Sequence, residues 1–156
     1  MRRPIKKRPK IKPDYRHQSE KVEKFINYVM FDGKKHTARK VVYAALEEIK
    51  KETGTDEPLE IFYSAIKNAS PVMEVRSRRV GGASYQVPKE VRPERRQALA
   101  MKWIIKSSRS KSGLPSYKKL ASELIQASKN EGEAVTKKEN THKMAEANKA
   151  FAHFAW

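Results

Sequence analysis

Cysteine is absent from these 156 residues, so disulfides and thiolate metal sites are excluded and a reducing compartment is the natural setting. No apolar run comes near the roughly 20 residues of a membrane span. The charged N-terminus is followed by no apolar stretch of the kind a secretory signal carries, so a soluble, intracellular chain is expected. Acids are scarce: 18 Asp and Glu face 35 Lys and Arg, for a formal net charge of +17. Glycine is scarce too, six in all, with Gly81-Gly82 as the one adjacent pair.

Catalytic constellations are also missing. His17, His36, His142 and His153 lack the i, i+4 spacing of a metalloprotease helix. Gly81-Gly82 is not followed by the Gly-Lys-Ser/Thr of a phosphate loop. Asp32-Gly33-Lys34-Lys35 lacks that loop's leading glycine and hydroxyl, and no serine sits in a Gly-x-Ser-x-Gly elbow. Most acids fall on helix faces opposite lysines, where solvated pairing accounts for them. The expectation is a chain that is not an enzyme and takes no metal, cofactor or small-molecule substrate.

What is present is clustered positive charge. Residues 1–13 hold seven Lys/Arg and no acid; residues 71–111 hold eleven against Glu74, Glu90 and Glu94. Residues 14–70 balance at ten of each sign, and residues 112–156 hold seven against five. Fifteen of the seventeen excess charges therefore lie in two segments, the footprint of a phosphate-backbone binder rather than of a generally basic surface.

The second segment contains Val75-Arg76-Ser77-Arg78-Arg79-Val80-Gly81-Gly82-Ala83-Ser84-Tyr85-Gln86-Val87-Pro88. It alternates as a strand does, breaks at the glycine pair and alternates again, which reads as a hairpin with a two-residue turn. With Val80 opposite Ala83, Arg78 pairs with Tyr85 and Arg76 with Val87. Arg76, Arg78 and Tyr85 then share one face, and Arg79, Ser84 and Gln86 the other. Neither face is an apolar stripe that would pack on a core. Such a ribbon, at about residues 72–91, is marginal alone and needs a body at its base and a polyanionic partner at its tip.

Around the ribbon the periodicity is helical. Residues 1–13, basic and broken by Pro4, Pro9 and Pro13, are expected to form an extended arm. Val22, Phe25, Ile26, Val29 and Met30 make a first stripe, ending at Gly33. Ala38, Val41, Val42, Ala45, Leu46 and Ile49 make a second, with Thr37 as candidate N-cap and Gly54 past its end. Asp56 is the candidate cap of a third helix, with Pro58 in its first turn, Leu59, Phe62 and Ile66 inward, and Pro71 at its end. Pro93 opens a fourth, to about Arg109, with Arg95, Lys102, Lys106 and Arg109 on one stripe and Arg92 and Arg96 at its edge. Ala98, Met101, Ile104 and Ile105 lie opposite, and Trp103 reads as a core anchor. A fifth starts after Ser116, with Tyr117, Leu120, Ala121, Leu124 and Ile125 inward. A sixth runs from about Glu133 to the end, with Met144, Ala147, Phe151 and Phe154 on one face. The expected fold is mainly α: residues 14–156 as a single domain of about six helices with one protruding basic β-ribbon, large enough to bury roughly 70 % of its unfolded surface.

A basic ribbon on a helical body suits either the DNA minor groove, as in architectural DNA-binding proteins, or a folded RNA read by shape, phosphate and 2′-hydroxyl contacts. Against DNA bending, Val80-Gly81-Gly82-Ala83 offers no apolar or proline wedge.

Several longer stretches carry a resemblance: Lys24-Phe25-Ile26-Asn27 with Asp32-Gly33-Lys34-Lys35; Glu74-Val75-Arg76-Ser77-Arg78-Arg79-Val80-Gly81-Gly82-Ala83; Tyr85-Gln86-Val87-Pro88; Arg92-Pro93-Glu94-Arg95-Arg96 and Leu99-Ala100; and Thr141-His142-Lys143-Met144-Ala145-Glu146-Ala147-Asn148-Lys149-Ala150-Phe151-Ala152-His153. In this order, over almost the whole chain, they resemble the family of bacterial-type small-subunit ribosomal protein number seven, the primary ribosomal-RNA binder of the subunit head. The resemblance implies six helices with a β-ribbon, binding to the 3′ major domain of small-subunit ribosomal RNA, and nucleation of head assembly. It also implies a place near the exit site, beside messenger RNA and transfer RNA, among neighbouring small-subunit proteins.

The ribosomal-RNA contacts so implied are Arg2, Arg3, Lys6, Lys7, Arg8, Lys10 and Lys12 of the arm; Lys34 and Lys35; Arg76, Arg78 and Arg79; Arg92, Arg95, Arg96, Lys102, Lys106 and Arg109; and Lys137, Lys138 and His142. Val80, Gly81, Gly82, Ala83, Ser84 and Tyr85 would form the exit-site tip. The setting implied is a ribosome of the cytoplasm, or of the matrix or stroma of an organelle with bacterial-type ribosomes. Repression of its own message is a second function such an RNA surface allows. Members often read Leu-Pro-Asp-Pro before the first helix and end Tyr-Arg-Trp; this chain reads Lys12-Pro13-Asp14-Tyr15 and ends Phe154-Ala155-Trp156.

Overall fold

Residues 11–154 are described by a computed structural model of the chain. Helix α1 (Glu20–Val29) starts at Ser19, whose hydroxyl accepts from the Val22 backbone N–H at 3.5 Å and shares a 2.7 Å hydrogen bond with the Tyr63 hydroxyl. That cap satisfies one of the otherwise orphaned N–H groups of the first turn. Val22, Phe25 and Ile26 are wholly buried, as their spacing predicts. The rings of Phe25 and Phe62 meet edge-on, with centroids 5.2 Å apart. Truncating either ring to alanine would cost roughly 3–5 kcal/mol by loss of burial and a cavity.

Helix α2 (Lys35–Thr53) ends at Gly54 as expected, but it does not begin at Thr37. The Lys34 N–H donates to the Phe31 carbonyl at 2.9 Å, which closes the preceding turn early and makes Lys34 the N-cap. Helix α3 (Pro58–Ala69) has Pro58 in its first turn, yet Glu57 occupies the cap position and no side chain caps it. Asp56 instead reaches back to Lys50 at 3.3 Å. Ser70 closes α3, and Pro71 follows.

The strands are β1 (Met73–Val80) and β2 (Ala83–Glu90), an antiparallel pair in the expected register: Val80 opposite Ala83, Arg78 opposite Tyr85, Arg76 opposite Val87. Gly81 and Gly82 have φ of 57° and 88°, the left-handed pair that lets a two-residue turn follow the strands' own twist. Helix α4 (Pro93–Ser110) buries Ala100, Met101, Ile104 and Ile105, with Trp103 half-buried against the same core. Ala98 is only half-buried; Ala100 takes the central place.

Helix α5 (Ser116–Ser128) lies at the centre, packed on α2, α3 and α4. The Asn68 amide of α3 donates to the carbonyls of Ala127 and Ser128 at 3.1 and 2.8 Å, closing the end of α5. Glu123 is completely buried, 2.8 Å from Lys111 Nζ, and its Oε1 accepts from the Ala134 N–H at 3.1 Å in the first turn of α6 (Glu133–Ala147). The carboxylate thus meets the positive end of that helix. A Cβ at Gly132 would stand 3.1 Å from the same oxygen, so the glycine leaves it room. Asp14, Glu23, Glu74 and Glu123 are all buried, unlike the solvated acids that lysine-facing helix positions suggest.

The sixth helix is shorter than its sequence pattern implies. It stops at Ala147, where the Asn148 amide donates to the Met144 carbonyl at 2.8 Å, and a 3₁₀ turn (Lys149–Phe154) follows. Met144 is exposed rather than inward. Phe151 and Phe154 leave the helical stripe because their partner is on the ribbon, not in the bundle. Among the described residues six α-helices and one β-hairpin make the fold mainly helical, as expected.

Candidate nucleic-acid interface

The ribbon is held at two places. Near its base, Glu74 is 8 % exposed, and its carboxylate is shared between two arginines from different elements. Arg76 of β1 donates to Oε1 through Nε at 2.7 Å and stands 2.6 Å away through a terminal nitrogen. Arg95 of α4 donates its Nε to Oε2 and Oε1 at 2.8 and 3.1 Å. Burial pushes the Glu74 carboxyl up, but the hydrogen bonds and charges of Arg95 and Arg76 outweigh it and hold the group below its ordinary range. Both guanidiniums remain about half exposed. One buried anion therefore orients two cations that still face water.

Nearer the tip, the Tyr85 ring lies 5.3 Å from Phe151 and 5.1 Å from Phe154, centroid to centroid. The Tyr85 face therefore does receive an apolar layer, supplied by the chain's own last turn. On the opposite face Ser77, Arg79, Ser84 and Gln86 are exposed, and the hydroxyls of Ser77 and Ser84 hydrogen-bond at 2.7 Å. At the base, His142 Nε2 accepts from the Val72 N–H at 2.9 Å. Helix α6 and the terminal turn so run along the ribbon and set its angle to the bundle.

The basic stripe of α4 continues from the ribbon. Arg92, Arg95, Lys102, Lys106 and Arg109 are exposed and Arg96 half-buried. Arg96 donates to Glu90 at 2.6 Å and to the Val91 carbonyl at 2.7 Å, tying the end of β2 to α4. Lys102 lies 5.8 Å over the Tyr28 ring, and Arg109 donates to the Val29 carbonyl at 3.0 Å. Lys137 is exposed and Lys138 half-buried on α6; Lys34 is exposed ahead of α2. Val80, Gly81, Gly82, Ala83 and Ser84 form an open tip, with no atom within 4 Å of a Cβ built on either glycine.

A second basic area lies around Asp14. Lys35 pairs with Glu23, Arg39 stands 3.6 Å from the same carboxylate, and Asp14 is fixed alongside. Tyr43 donates to Asp14 Oδ1 at 2.7 Å, and the N–H groups of Arg16 and His17 donate to Oδ2 at 3.2 and 3.1 Å. Burial raises the Asp14 carboxyl, yet these hydrogen bonds leave it below its ordinary range, and the Tyr43 phenol is pushed up to about 12. Lys12 is exposed; Arg2, Arg3, Lys6, Lys7, Arg8 and Lys10 lie outside the described residues.

Charge clustering does not by itself reveal Glu74 as the shared counterion. The signal was its place two residues before Arg76, on the same strand face. Among the described residues no group of three His, Cys, Asp or Glu could hold a metal, and no helix is long and apolar enough to cross a membrane.

Comparison with known proteins gives the family. The family model for ribosomal protein S7p/S5e matches residues 1–149. The chain is 55 % identical over 149 residues to the small ribosomal subunit protein uS7 of Thermoanaerobacter sp., covering 96 % of this chain and 95 % of that one. It is 59 % identical over 136 residues to the protein of that name from Moorella thermoacetica, covering 87 % and 86 %. Against the Rhodopirellula baltica protein of that name it is 57 % identical over 144 residues, covering 92 % of each. The chain belongs to the ribosomal protein S7p/S5e family, and is a structural protein of the ribosome rather than an enzyme.

Proposed function

We propose that this chain binds the 3′ major domain of small-subunit ribosomal RNA, nucleates assembly of the subunit head, and places its ribbon tip at the exit site beside messenger RNA and transfer RNA. Residues 1–13 act as a basic arm and residues 14–156 as one RNA-binding body, in the ribosomes of a bacterial cytoplasm. The relatives above are named as small ribosomal subunit proteins, which supports the subunit.

The observation that carries the reading is the shared Glu74 carboxylate, which locks ribbon and α4 into one basic surface. Arg76, Arg78, Arg79, Arg92, Arg95, Lys102, Lys106 and Arg109 displace counterions from RNA phosphates along it. The shape of the surface selects a folded RNA over a uniform duplex. The blunt glycine tip suits close approach to a backbone. Lys34, Lys35, Lys137 and Lys138 extend the contact, and neighbouring small-subunit proteins cover what RNA does not.

The test is a competition at physiological salt between a transcript of the 3′ major domain and duplex DNA of matched length. Preference for the RNA by a hundredfold, equal to about 2.8 kcal/mol at about 1.4 kcal/mol per decade, is expected. Equal binding would overturn the reading in favour of an architectural DNA-binding protein.

A further inference from the structure

Tyr15 is the most exposed large apolar side chain among the described residues, 87 % open. Its ring makes no aromatic, cation or hydrogen-bond contact there. An exposed aromatic on a mobile loop would mean little, but the backbone on both sides of Tyr15 is pinned. Asp14 donates its N–H to the Ser19 carbonyl at 3.3 Å and accepts from the Gln18 N–H at 2.9 Å. Its buried carboxylate takes the N–H groups of Arg16 and His17. The ring is thus presented on a fixed turn, and little backbone freedom is lost when something lies against it.

Beside the ring is a cleft of about 440 Å³ lined in part by Lys12, Tyr15, Glu23, Asn27, Lys35 and Arg39. Lys12, Lys35 and Arg39 outnumber two carboxylates: Glu23 is held by Lys35 and Arg39, and Arg39 also stands 4.0 Å from Asp14, which leaves Lys12 without an ion pair among the described residues. The Asn27 side chain is half-buried, and its amide has no hydrogen-bond partner among the described residues. An open aromatic face, an unused amide with a donor and an acceptor, and net positive charge match the three parts of a nucleotide: base face, base edge and phosphate.

We propose that Tyr15 and this cleft take one unpaired nucleotide of the ribosomal RNA. The base stacks on the Tyr15 ring, Asn27 hydrogen-bonds its edge, and Lys12 and Lys35 meet its phosphate. The site rests on the RNA-binding reading above and adds to it a contact that is not electrostatic.

The test uses the full chain and the 3′ major domain transcript, with Tyr15→Ala and Tyr15→Phe compared at several salt concentrations. Tyr15→Ala is expected to weaken binding about tenfold, or about 1.4 kcal/mol, within the roughly 1–3 kcal/mol of one stacked base. Tyr15→Phe should stay within about twofold of the parent, and neither variant should change the salt slope or the melting temperature. Undiminished binding by Tyr15→Ala would overturn the proposal. So would an equal loss in Tyr15→Phe, or a drop of several degrees in the Tyr15→Ala melt, which would show the ring serving the fold. If the parent fails to select the transcript over duplex DNA, the RNA-binding reading falls and takes this site with it.

Discussion

Glu74 and Arg95, 21 residues apart, meet through hydrogen bonds of 2.8 and 3.1 Å, and this pair fixes where the β-ribbon leaves the helical body. Arg76 shares the same carboxylate, so the absence of acid between the ribbon's arginines does not mean that Arg76 lacks an acidic partner. Removing Glu74 acts on two cations at once. Glu74→Gln is expected to destabilise the fold by roughly 1–2 kcal/mol, toward the low end for hydrogen bonds to charged groups because both guanidiniums are half in water. That corresponds to a melting temperature lower by about 3–6 °C. A circular-dichroism melt equal to that of the parent would show that the pair is ornamental to stability.

Acid should expose the same carboxylate and that of Asp14. Both have folded-state values below their ordinary 4.5 and 3.8. Their stabilisation is therefore complete above those ordinary values and is lost as pH falls through the lower folded ones. The melting temperature should hold nearly level from about pH 7 to 5 and fall steeply below about pH 4.5. The double variant Glu74→Gln, Asp14→Asn should begin lower at neutral pH and fall less on acidification. An equally steep fall would assign the acid sensitivity to other groups.

Charge and fold separate most cleanly at Arg79 and Lys106, which are exposed on the ribbon and on α4. Alanine at either position should reduce the slope of log affinity against log salt by about 1 for each phosphate contact removed. The melt should stay within about 0.5 kcal/mol of the parent in stability. An unchanged salt slope in both variants would place the phosphates elsewhere.

The terminal turn acts as a clasp on the ribbon through Phe151, Phe154 and Tyr85. Ending the chain after Asn148 removes both phenylalanines, each aromatic pair being worth roughly 0.5–1.5 kcal/mol. Amide hydrogen exchange over residues 83–87 should quicken, while exchange in α5 should not change. Equal protection with and without the turn would mean that the ribbon stands unaided. His142→Ala, which removes the acceptor for the Val72 N–H, should loosen residues 72–75 in the same assay.

Much of this protein is legible without coordinates. The stripes of α1 to α5 state their inward faces because a helix repeats every 3.6 residues, and Val22, Phe25, Ile26, Leu46, Ile49 and Leu124 are buried where that period puts them. The register of the ribbon follows from Gly81-Gly82, since a two-residue turn leaves one pairing. The clustering of charge singles out the ribbon and α4 as the proposed binding surface.

Tertiary structure alone decided three things, each a contact between residues distant in the chain. Glu74 becomes a shared counterion only when α4 brings Arg95 against β1. Phe151 and Phe154 abandon the helical pattern of the C-terminus only because Tyr85 stands across from them. Tyr15 gains meaning only when Asp14 is buried beneath Tyr43 and a cleft opens at Lys35 and Arg39. Local periodicity reports which side of an element is apolar, because that depends on the chain's own geometry. It carries no information on which far residue a buried carboxylate or a stray aromatic will find, because that is set by the packing of the helices.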